Sequence, residues 1–338
     1  MKLKYSIYYK ANLDRLLIEL VELIPKKKIH KLKFHDKKGM DMAIKFLNYI
    51  SINSANDEEK EQYLRIPILM DLYKYLSKNS LLQQNYTEKD IDIIYLRQIE
   101  FFDDWLRGAE TGLKVQKKLK NKRVWIIGAG GFGVAMSNLM VAVGIGSLVV
   151  FDHDKVEESN LLRQFLYTRE DVGKPKVLIL KKFLEKRRIS KIIAIEEKFR
   201  KESVEKFLYL YKPDIVVGLD YSFLNNKILE NVVLEILRFG IPVIFASEQS
   251  AGPIVFCKED LEYIKEKLTE GFYIMKEWIF TNGQRREFHP SYAPFLSITS
   301  GLLCDQIVRF FTEYSELKIY KTIYSLNPIN GVVTNFKL

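Results

Sequence analysis

The run from Val124 to Phe151 contains no charged side chain and holds six glycines. A membrane-spanning helix needs about 20 apolar residues with few breaks. This run is interrupted by Gly128-Ala129-Gly130-Gly131-Phe132-Gly133 and again by Gly144 and Gly146. Its borders, VWII and SLVVF, have the apolar, β-branched character of buried strands. The segment therefore reads as strand, tight turn, helix and second strand, all buried, in a protein with no membrane span. Gly128, Gly130, Gly131 and Gly133 let the backbone turn sharply and approach a phosphate, whose charge suits the amino end of the following helix. Asp152 closes the second strand, where a carboxylate can accept hydrogen bonds from ribose hydroxyls. On these residues alone a nicotinamide dehydrogenase fits as well as any other nucleotide enzyme.

The same alternation continues towards the carboxyl end. Short apolar runs at Val124–Ile127, Leu148–Phe151, Ile192–Ile195, Ile215–Leu219 and Val243–Ala246 read as strands. Helical patterns lie between them at Lys174–Lys186 and Asn225–Phe239, and the tail adds a helix at Pro294–Phe311 and strands at Thr322–Leu326 and Gly331–Phe336. This predicts an α/β fold with a doubly wound, mainly parallel, Rossmann-like sheet covered by helices on both faces. Residues 1–90 read as a separate, small α+β domain, and residues 91–338 as the nucleotide-binding domain. In the first, a strand over 1–10 precedes a helix capped by Asn12 and running to Leu23. Further helices are expected at Asp41–Ile50 and Tyr63–Ser77, and a strand at Leu81–Tyr86. That order suggests a winged-helix-like module.

Composition narrows the function classes. The chain has 338 residues, 47% of them apolar, enough to bury two cores. The opening MKLKYSIYYK lacks the apolar centre of a signal peptide, and with two cysteines the chain has no disulfide framework, so the expected location is cytoplasmic. Cys257 and Cys304 cannot make a four-thiolate zinc site, and the four histidines show no i, i+4 pair. Cys304, among Leu302, Leu303 and Ile307, reads as a core residue; Cys257 is either an ordinary surface thiol or a nucleophile. The net charge of +10 raises the question of nucleic acid. The basic run Lys26, Lys27, Lys28, Lys31, Lys33, Lys37 and Lys38 can hold phosphates or form a solvated face. No zinc-finger or RNP signature accompanies it, so no nucleic-acid partner is expected.

The segment after Asp152 decides the nucleotide class. It reads Asp152-His153-Asp154-Lys155-Val156-Glu157-Glu158-Ser159-Asn160-Leu161-Leu162-Arg163-Gln164, then Asp171-Val172-Gly173-Lys174-Pro175-Lys176. This resembles the ThiF/MoeB, ubiquitin-activating-like superfamily, whose pattern is D-x-D-x-V-x-x-S-N-L-x-R-Q followed by D-x-G-x-x-K. Arg163 and Lys176 are cations that can neutralise the β- and γ-phosphates of a triphosphate. A dehydrogenase has no need of the pair. Asn160 can orient phosphate or metal-bound water through its amide. The resemblance also implies that Asp220, at the end of Ile215–Leu219, serves a magnesium ion bridging phosphate oxygens, and that Asn226 belongs to the nucleotide site. Asn225 departs from the arginine that several relatives carry there. Tyr95-Leu96-Arg97-Gln98 resembles the family's R-Y-x-R-Q motif, whose arginine reaches into the partner subunit's ATP site; this implies a homodimer with Arg97 in that role. His289-Pro290-Ser291-Tyr292-Ala293-Pro294 resembles the segment near the family's dimer interface. The paired CxxC zinc ligands of many relatives are absent from the sequence, so no zinc site is expected.

The resemblance implies an ATP- and Mg2+-dependent adenylyltransferase. The expected nucleotide-site residues are Gly128, Gly130, Gly131, Gly133, Asp152, Asn160, Gln164 and Asn226, with Arg163, Lys176, Asp220 and Arg97 acting in catalysis. An amino-terminal module before such a domain resembles the microcin C7-type enzymes, which adenylate the carboxyl end of a ribosomally made peptide. That implies a small peptide as partner and a peptide-clamp role for residues 1–90. The alternatives are a ubiquitin-like sulfur-carrier protein as substrate, or a non-catalytic leader-peptide-binding scaffold.

Overall fold

A computed structural model describes residues 1–23, 27–51, 57–84, 86, 91–106, 110–219, 226–271, 291–327 and 330–338. The chain divides into two compact units, Met1–Lys117 and Lys118–Leu338. The division falls further along the chain than the boundary at residue 90 read from the sequence.

The first unit opens with β1 (Lys2–Leu3), β2 (Ile7–Asn12), β3 (Leu17–Glu22) and β4 (Lys28–Lys33), followed by α1 (Lys37–Ser51), α2 (Asp57–Leu64) and α3 (Pro67–Lys78). Strands β2, β3 and β4 form an antiparallel meander in that order, and β1 pairs with the short β5 (Leu82–Gln83). The helix expected from Asn12 to Leu23 is therefore a hairpin. The Asn12 side chain does accept a hydrogen bond from the Arg15 amide, 3.0 Å away, as a helix cap would. The same bond closes a turn when the chain then reverses, and Leu16 completes the reversal at φ 46°. LIELVE continues as a strand with Ile18, Leu20 and Glu22 buried on alternate positions. Ile18 and Leu20 pack on Met40, Ala43, Leu47 and Ile50 of α1, whose spacing makes one helical face, and on Leu69, Leu72 and Leu76 of α3. From Lys28 onward the basic run becomes β4 and the start of α1; Lys26 lies outside the described residues. The expected helix at Tyr63–Ser77 is split by Pro67 at the start of α3.

The first unit continues with α4 (Leu96–Trp105), which carries Arg97 on an exposed position and buries Ile99, Phe102, Asp103 and Asp104. The division between units lies within α5 (Gly112–Lys120). A Cβ at Gly112 would meet the Ile99 carbonyl oxygen at 2.0 Å, so only glycine allows α5 to start against α4.

The second unit alternates strands and helices: β6 (Arg123–Ile127), α6 (Gly131–Ala142), β7 (Ser147–Phe151), α7 (Lys176–Glu185), β8 (Lys191–Ile195), α8 (Lys201–Tyr211), β9 (Ile215–Leu219), α9 (Lys227–Arg238) and β10 (Val243–Ala246). After β11 (Ser250–Val255) come α10 (Lys258–Gly271), α11 (Ala293–Thr312), β12 (Thr322–Leu326) and β13 (Val333–Lys337). The sheet order is β13-β12-β11-β10-β9-β6-β7-β8. Strands β10, β9, β6, β7 and β8 are parallel; β11, β12 and β13 join antiparallel. On one face Trp125, Val149, Phe151, Val216 and Phe245 pack against α8, α9 and α10. Alternation turns Val124, Ile126, Leu148 and Val150 to the other face, where α6 packs with α7 and α11. The sequence order leaves β6 towards β7 and β8 on one side and β9 and β10 on the other. That reversal is where open α/β sheets bind ligands, at the carboxyl ends of the strands. No helix among the described residues is long and apolar enough to cross a membrane.

Candidate functional site

The carboxyl ends of β6, β7 and β9 lie side by side, with Ile127 in register with Phe151 and Ile126 with Val217. The glycine loop leaves β6, Asp152 leaves β7, and residue 220 follows β9. Asp220 and Asn225 lie outside the described residues, as do His289 and Pro290. The loop turns at Gly128, whose φ of 93° favours glycine. A Cβ at Gly133 would lie 1.8 Å from the Gly128 carbonyl oxygen, and one at Gly131 would lie 2.5 Å from Leu296 Cδ1. Glycine at these two positions lets α6 begin directly over the loop. Gly130 caps α6 without a side chain, so the first-turn amides remain available to an anion. Gly218, inside β9, is also explained sterically: its φ is 98°, and a Cβ there would meet the Ile127 carbonyl oxygen at 2.6 Å.

Asp152 holds the loop in shape. Its Oδ2 accepts from the Ala129 amide at 2.6 Å and its Oδ1 from the Asp154 amide at 2.7 Å. Each oxygen keeps a lone pair for a further donor. The following chain is a closed excursion. Val156 donates to the Lys174 carbonyl at 2.9 Å, Gly173 to Val156 at 2.8 Å, and Lys176 to Asp154 at 3.0 Å. Gly173 makes the return at φ 85°. The spaced motif is thus one compact loop whose ends meet, the usual construction of a functional surface loop.

Within the excursion the expected residues separate by role. Asn160 is buried, its Oδ1 accepting from the Glu157 amide at 3.1 Å and its Nδ2 donating to Ser159 Oγ at 3.2 Å. It holds the loop's own turn. Arg163 is partly buried, and its guanidinium donates to the Ser159 carbonyl at 2.7 Å. Gln164 is buried close to Gly130, where a Cβ would lie 3.9 Å from its Nε2. The Gln164 Oε1 is buried and has no hydrogen-bond partner among the described residues. A buried acceptor of this kind calls for a donor from a ligand or water. Lys176 opens α7 with its side chain only 8% exposed, and its ammonium donates to Asp154 Oδ2 at 3.1 Å. Asn226 caps α9, its Oδ1 accepting from the amides of Ile228 and Leu229 at 3.1 and 3.2 Å. Arg97 belongs to the first unit.

Two residues here are not among the expected site residues: Asp154, although it is the second aspartate of the D-x-D pattern, and Tyr167, which the sequence leaves unmarked. Asp154 is the counter-ion of Lys176. Tyr167 is buried, and its hydroxyl donates to the Ala129 carbonyl at 2.8 Å with the Lys176 carbonyl 3.3 Å away. Burial, and then the charges of Asp152 and Asp171, push the Tyr167 phenol far above its ordinary value, so it is a neutral donor. Slight desolvation would raise Asp171, but the Thr168 amide and hydroxyl and Lys174 outweigh it and hold its carboxyl low. The cysteines lie elsewhere. Cys304 is buried, which pushes its thiol up. At the exposed Cys257 the Asp260 amide lowers the thiol. Desolvation and the carboxylates of Glu259 and Asp260 overcome this and hold it above its ordinary value, the opposite of an activated nucleophile.

The glycine loop before α6, the Asp152 carboxylate and the cations Arg163 and Lys176 thus lie on one closed stretch at the carboxyl ends of a mainly parallel α/β sheet. The ThiF family pattern matches residues 95–338, and the chain belongs to that family. It is 34% identical over 139 residues to a sulfur carrier protein adenylyltransferase of Thermus thermophilus, covering 41% of this chain and 49% of the relative. It is 33% identical over 180 residues to the adenylyltransferase and sulfurtransferase MOCS3 of Anopheles gambiae, 53% of this chain and 38% of that one. The chain thus matches half or less of the length of these relatives. Among solved structures, Escherichia coli MccB with ATP superposes over 99% of this chain and 96% of its own, with TM-score 0.68 and 20% identity. PaaA superposes over 82% and 94%, with TM-score 0.68 and 24% identity. These structural likenesses establish a shared fold.

Proposed function

We propose that this chain is an ATP-dependent adenylyltransferase acting on a carboxylate, and that the carboxylate is the carboxyl end of a small peptide. The observation that supports the first half is the closed loop from Asp152 to Lys176, which holds the Asp152 carboxylate against the glycine loop and carries Arg163 and Lys176. The orphaned Gln164 Oε1 beside Gly130 fits a donor-bearing ligand in the same place. In the reaction a carboxylate oxygen forms a bond to the α-phosphorus as the bond to the β-bridging oxygen breaks, and pyrophosphate leaves. No general base is needed, because a carboxylate is already ionised near neutral pH. The chain supplies positioning and charge: the loop amides hold phosphate oxygens, and Lys176, drawn from Asp154, and Arg163 stabilise the leaving charge. Orientation of the two reactants alone contributes about 7–11 kcal/mol to such steps. Magnesium would supply further charge neutralisation, with Asp220 as its protein ligand. Isothermal calorimetry tests the nucleotide assignment: ATP with Mg2+ should bind and NAD should not. Tight NAD binding without ATP binding contradicts it.

The peptide reading is supported by the first unit. Strand β4 is an edge of its sheet, and a cavity of about 420 Å³ lies between it and α3, lined by Leu32, Phe34, Ile68, Leu72 and Tyr75 with Lys31, Lys33 and Asp71. An extended peptide can add to such an edge through backbone hydrogen bonds while alternate side chains enter the cavity. MccB has been solved with MccA, and the likeness to that protein includes this unit. A carrier protein is the second reading, favoured by the names of the curated relatives. The two separate in one assay of pyrophosphate release. A synthetic peptide encoded beside the gene should support turnover that Ile68→Asp impairs; a carrier ending in Gly-Gly should not. The role in a partner subunit's site that the resemblance implies for Arg97 would make the active species a homodimer. Exposed Leu162 and Phe165, flanking Arg163, are apolar surface available to a partner.

A further inference from the structure

Ala129 is the one non-glycine residue besides Phe132 in the cradle, and the two peptide groups that flank its Cα are both held. Its amide donates to Asp152 at 2.6 Å and its carbonyl accepts from the Tyr167 hydroxyl at 2.8 Å. Tyr167 comes from the far limb of the excursion, three residues beyond Gln164. Its hydroxyl also lies 3.3 Å from the carbonyl of Lys176, the first residue of α7. One buried hydroxyl therefore joins the glycine loop, the return limb and the amino end of the helix that carries Lys176. A hydroxyl has a single proton, so the shorter bond to Ala129 takes it and the Lys176 contact is secondary.

We propose that Tyr167 is a positioning residue for nucleotide: it fixes the Ala129 peptide, and with it the cradle amides, in the phosphate-binding arrangement before ATP arrives. The proposal rests on the ATP reading of the site. Without this bond the Ala129 carbonyl is left buried without its donor. The loop must then turn it towards water or another donor, and a rotated peptide 128–130 no longer presents the cradle. A site populated in its binding arrangement only part of the time loses apparent affinity in proportion. A pre-formed site held by buried partners avoids that loss. The phenol suits the task because it stays neutral, and so brings no charge next to incoming phosphates. Asp171, held low by Thr168 and Lys174, lies on the same return limb but bonds within it, so it does not brace the loop as Tyr167 does.

The test is Tyr167→Phe in the full chain, which removes only the hydroxyl. The ATP dissociation constant by calorimetry should rise about ten-fold, following the population argument, while kcat at saturating ATP stays within about two-fold because bound nucleotide restores the loop. Hydrogen exchange without nucleotide should speed up at amides 128–133 and not in β8 or β9, a local change that a general loosening does not produce. Tyr167→His, whose ring nitrogen can still donate, should recover part of the lost affinity, and it serves as the test variant if the phenylalanine form does not fold. An unchanged ATP dissociation constant in a folded variant, or exchange raised equally across the second unit, overturns the proposal. If the wild-type protein itself binds no ATP, it is the nucleotide reading that fails.

Discussion

The two units bury polar groups in opposite ways. In the first, charge itself is buried: Asp103 and Asp104 of α4 are both enclosed, and the buried ammonium of Lys4 donates to the Leu106 carbonyl at 2.8 Å. Asp103 Oδ1 accepts from the Gly112 amide at 2.6 Å. Burial pushes both carboxyls up, and Gly112, the amides of Ser6 and Tyr5 and the charge of Lys4 only partly offset it. In the second unit the buried polar atoms near the glycine loop belong mostly to neutral groups, Tyr167, Asn160 and Gln164, beside one buried cation, Lys176, paired with Asp154. The first arrangement ties the amino-terminal segment, α4 and α5 together; in the second, Lys176 is paired with a carboxylate that is itself half exposed. Buried charge is costly and serves specificity of structure, whereas neutral buried donors can shape a loop without competing for phosphate.

The largest expected effect lies at Lys176. Lys176→Met removes a cation from the leaving-group side and should lower kcat by about a thousand-fold, the scale seen when one preorganised stabilising donor is lost. It also takes the lysine from Asp154, which keeps the His153 ring 3.6 Å away, but that carboxylate is half exposed, so the melting temperature should move little. A large loss of stability with modest loss of turnover would mean that the pair is structural, like Lys4 in the first unit.

Arg163→Ala should cost about a hundred-fold in kcat with little change in melting temperature, since its guanidinium is held by a single bond to the Ser159 carbonyl within a surface loop. Arg97→Ala should be similarly inactive, and mixing it with Asp220→Ala should restore part of the activity if each site draws on two subunits. A fully active monomer by light scattering would remove that shared-site arrangement.

A smaller effect distinguishes the units most cleanly. Ile68→Asp, in the cavity beside β4, should raise the peptide KM about ten-fold by burying an unpaired carboxylate, and should leave the ATP dissociation constant unchanged. A change in ATP affinity would show that the first unit does more than hold a peptide.

The smallest expected effect is a pH dependence. Because Asp103 and Asp104 have folded values above their unfolded ones, their native forms hold more protons in the interval between the two. Stability of the first unit should therefore fall as pH rises through that interval and be greater on its acid side. Asp104→Asn should flatten the slope in melting curves recorded from neutral pH down to the carboxylate range. A slope of the opposite sign would mean that Lys4 and the amides outweigh burial.

Much of the second unit was legible because its signals are local and steric. The uncharged run, the glycine spacing and the D-x-D to D-x-G-x-x-K pattern give strand, loop and excursion without any long-range contact. Gly218 was also readable in principle, since a glycine inside VVGLD signals a close backbone approach. Tyr167 was not, because nothing in FLYTRED shows that the hydroxyl crosses to Ala129. The first unit failed locally at one place: a side chain accepting from the amide three residues on looks the same in a helix cap and in a turn, and only the pairing of Leu17–Glu22 with both neighbours decides. Nothing local in FFDDW marks Asp103 and Asp104 as buried, because groups that meet them, Tyr5, Ser6 and Lys4 among them, lie far away in sequence.

The most direct measurement is pyrophosphate release by the full chain with ATP, Mg2+ and the candidate peptide, followed by mass spectrometry of the peptide. The account predicts stoichiometric pyrophosphate, AMP on the peptide's carboxyl end, and loss of both in Lys176→Met. Pyrophosphate release that is independent of any carboxylate-bearing partner, or a peptide that acquires phosphate instead of AMP, would contradict it.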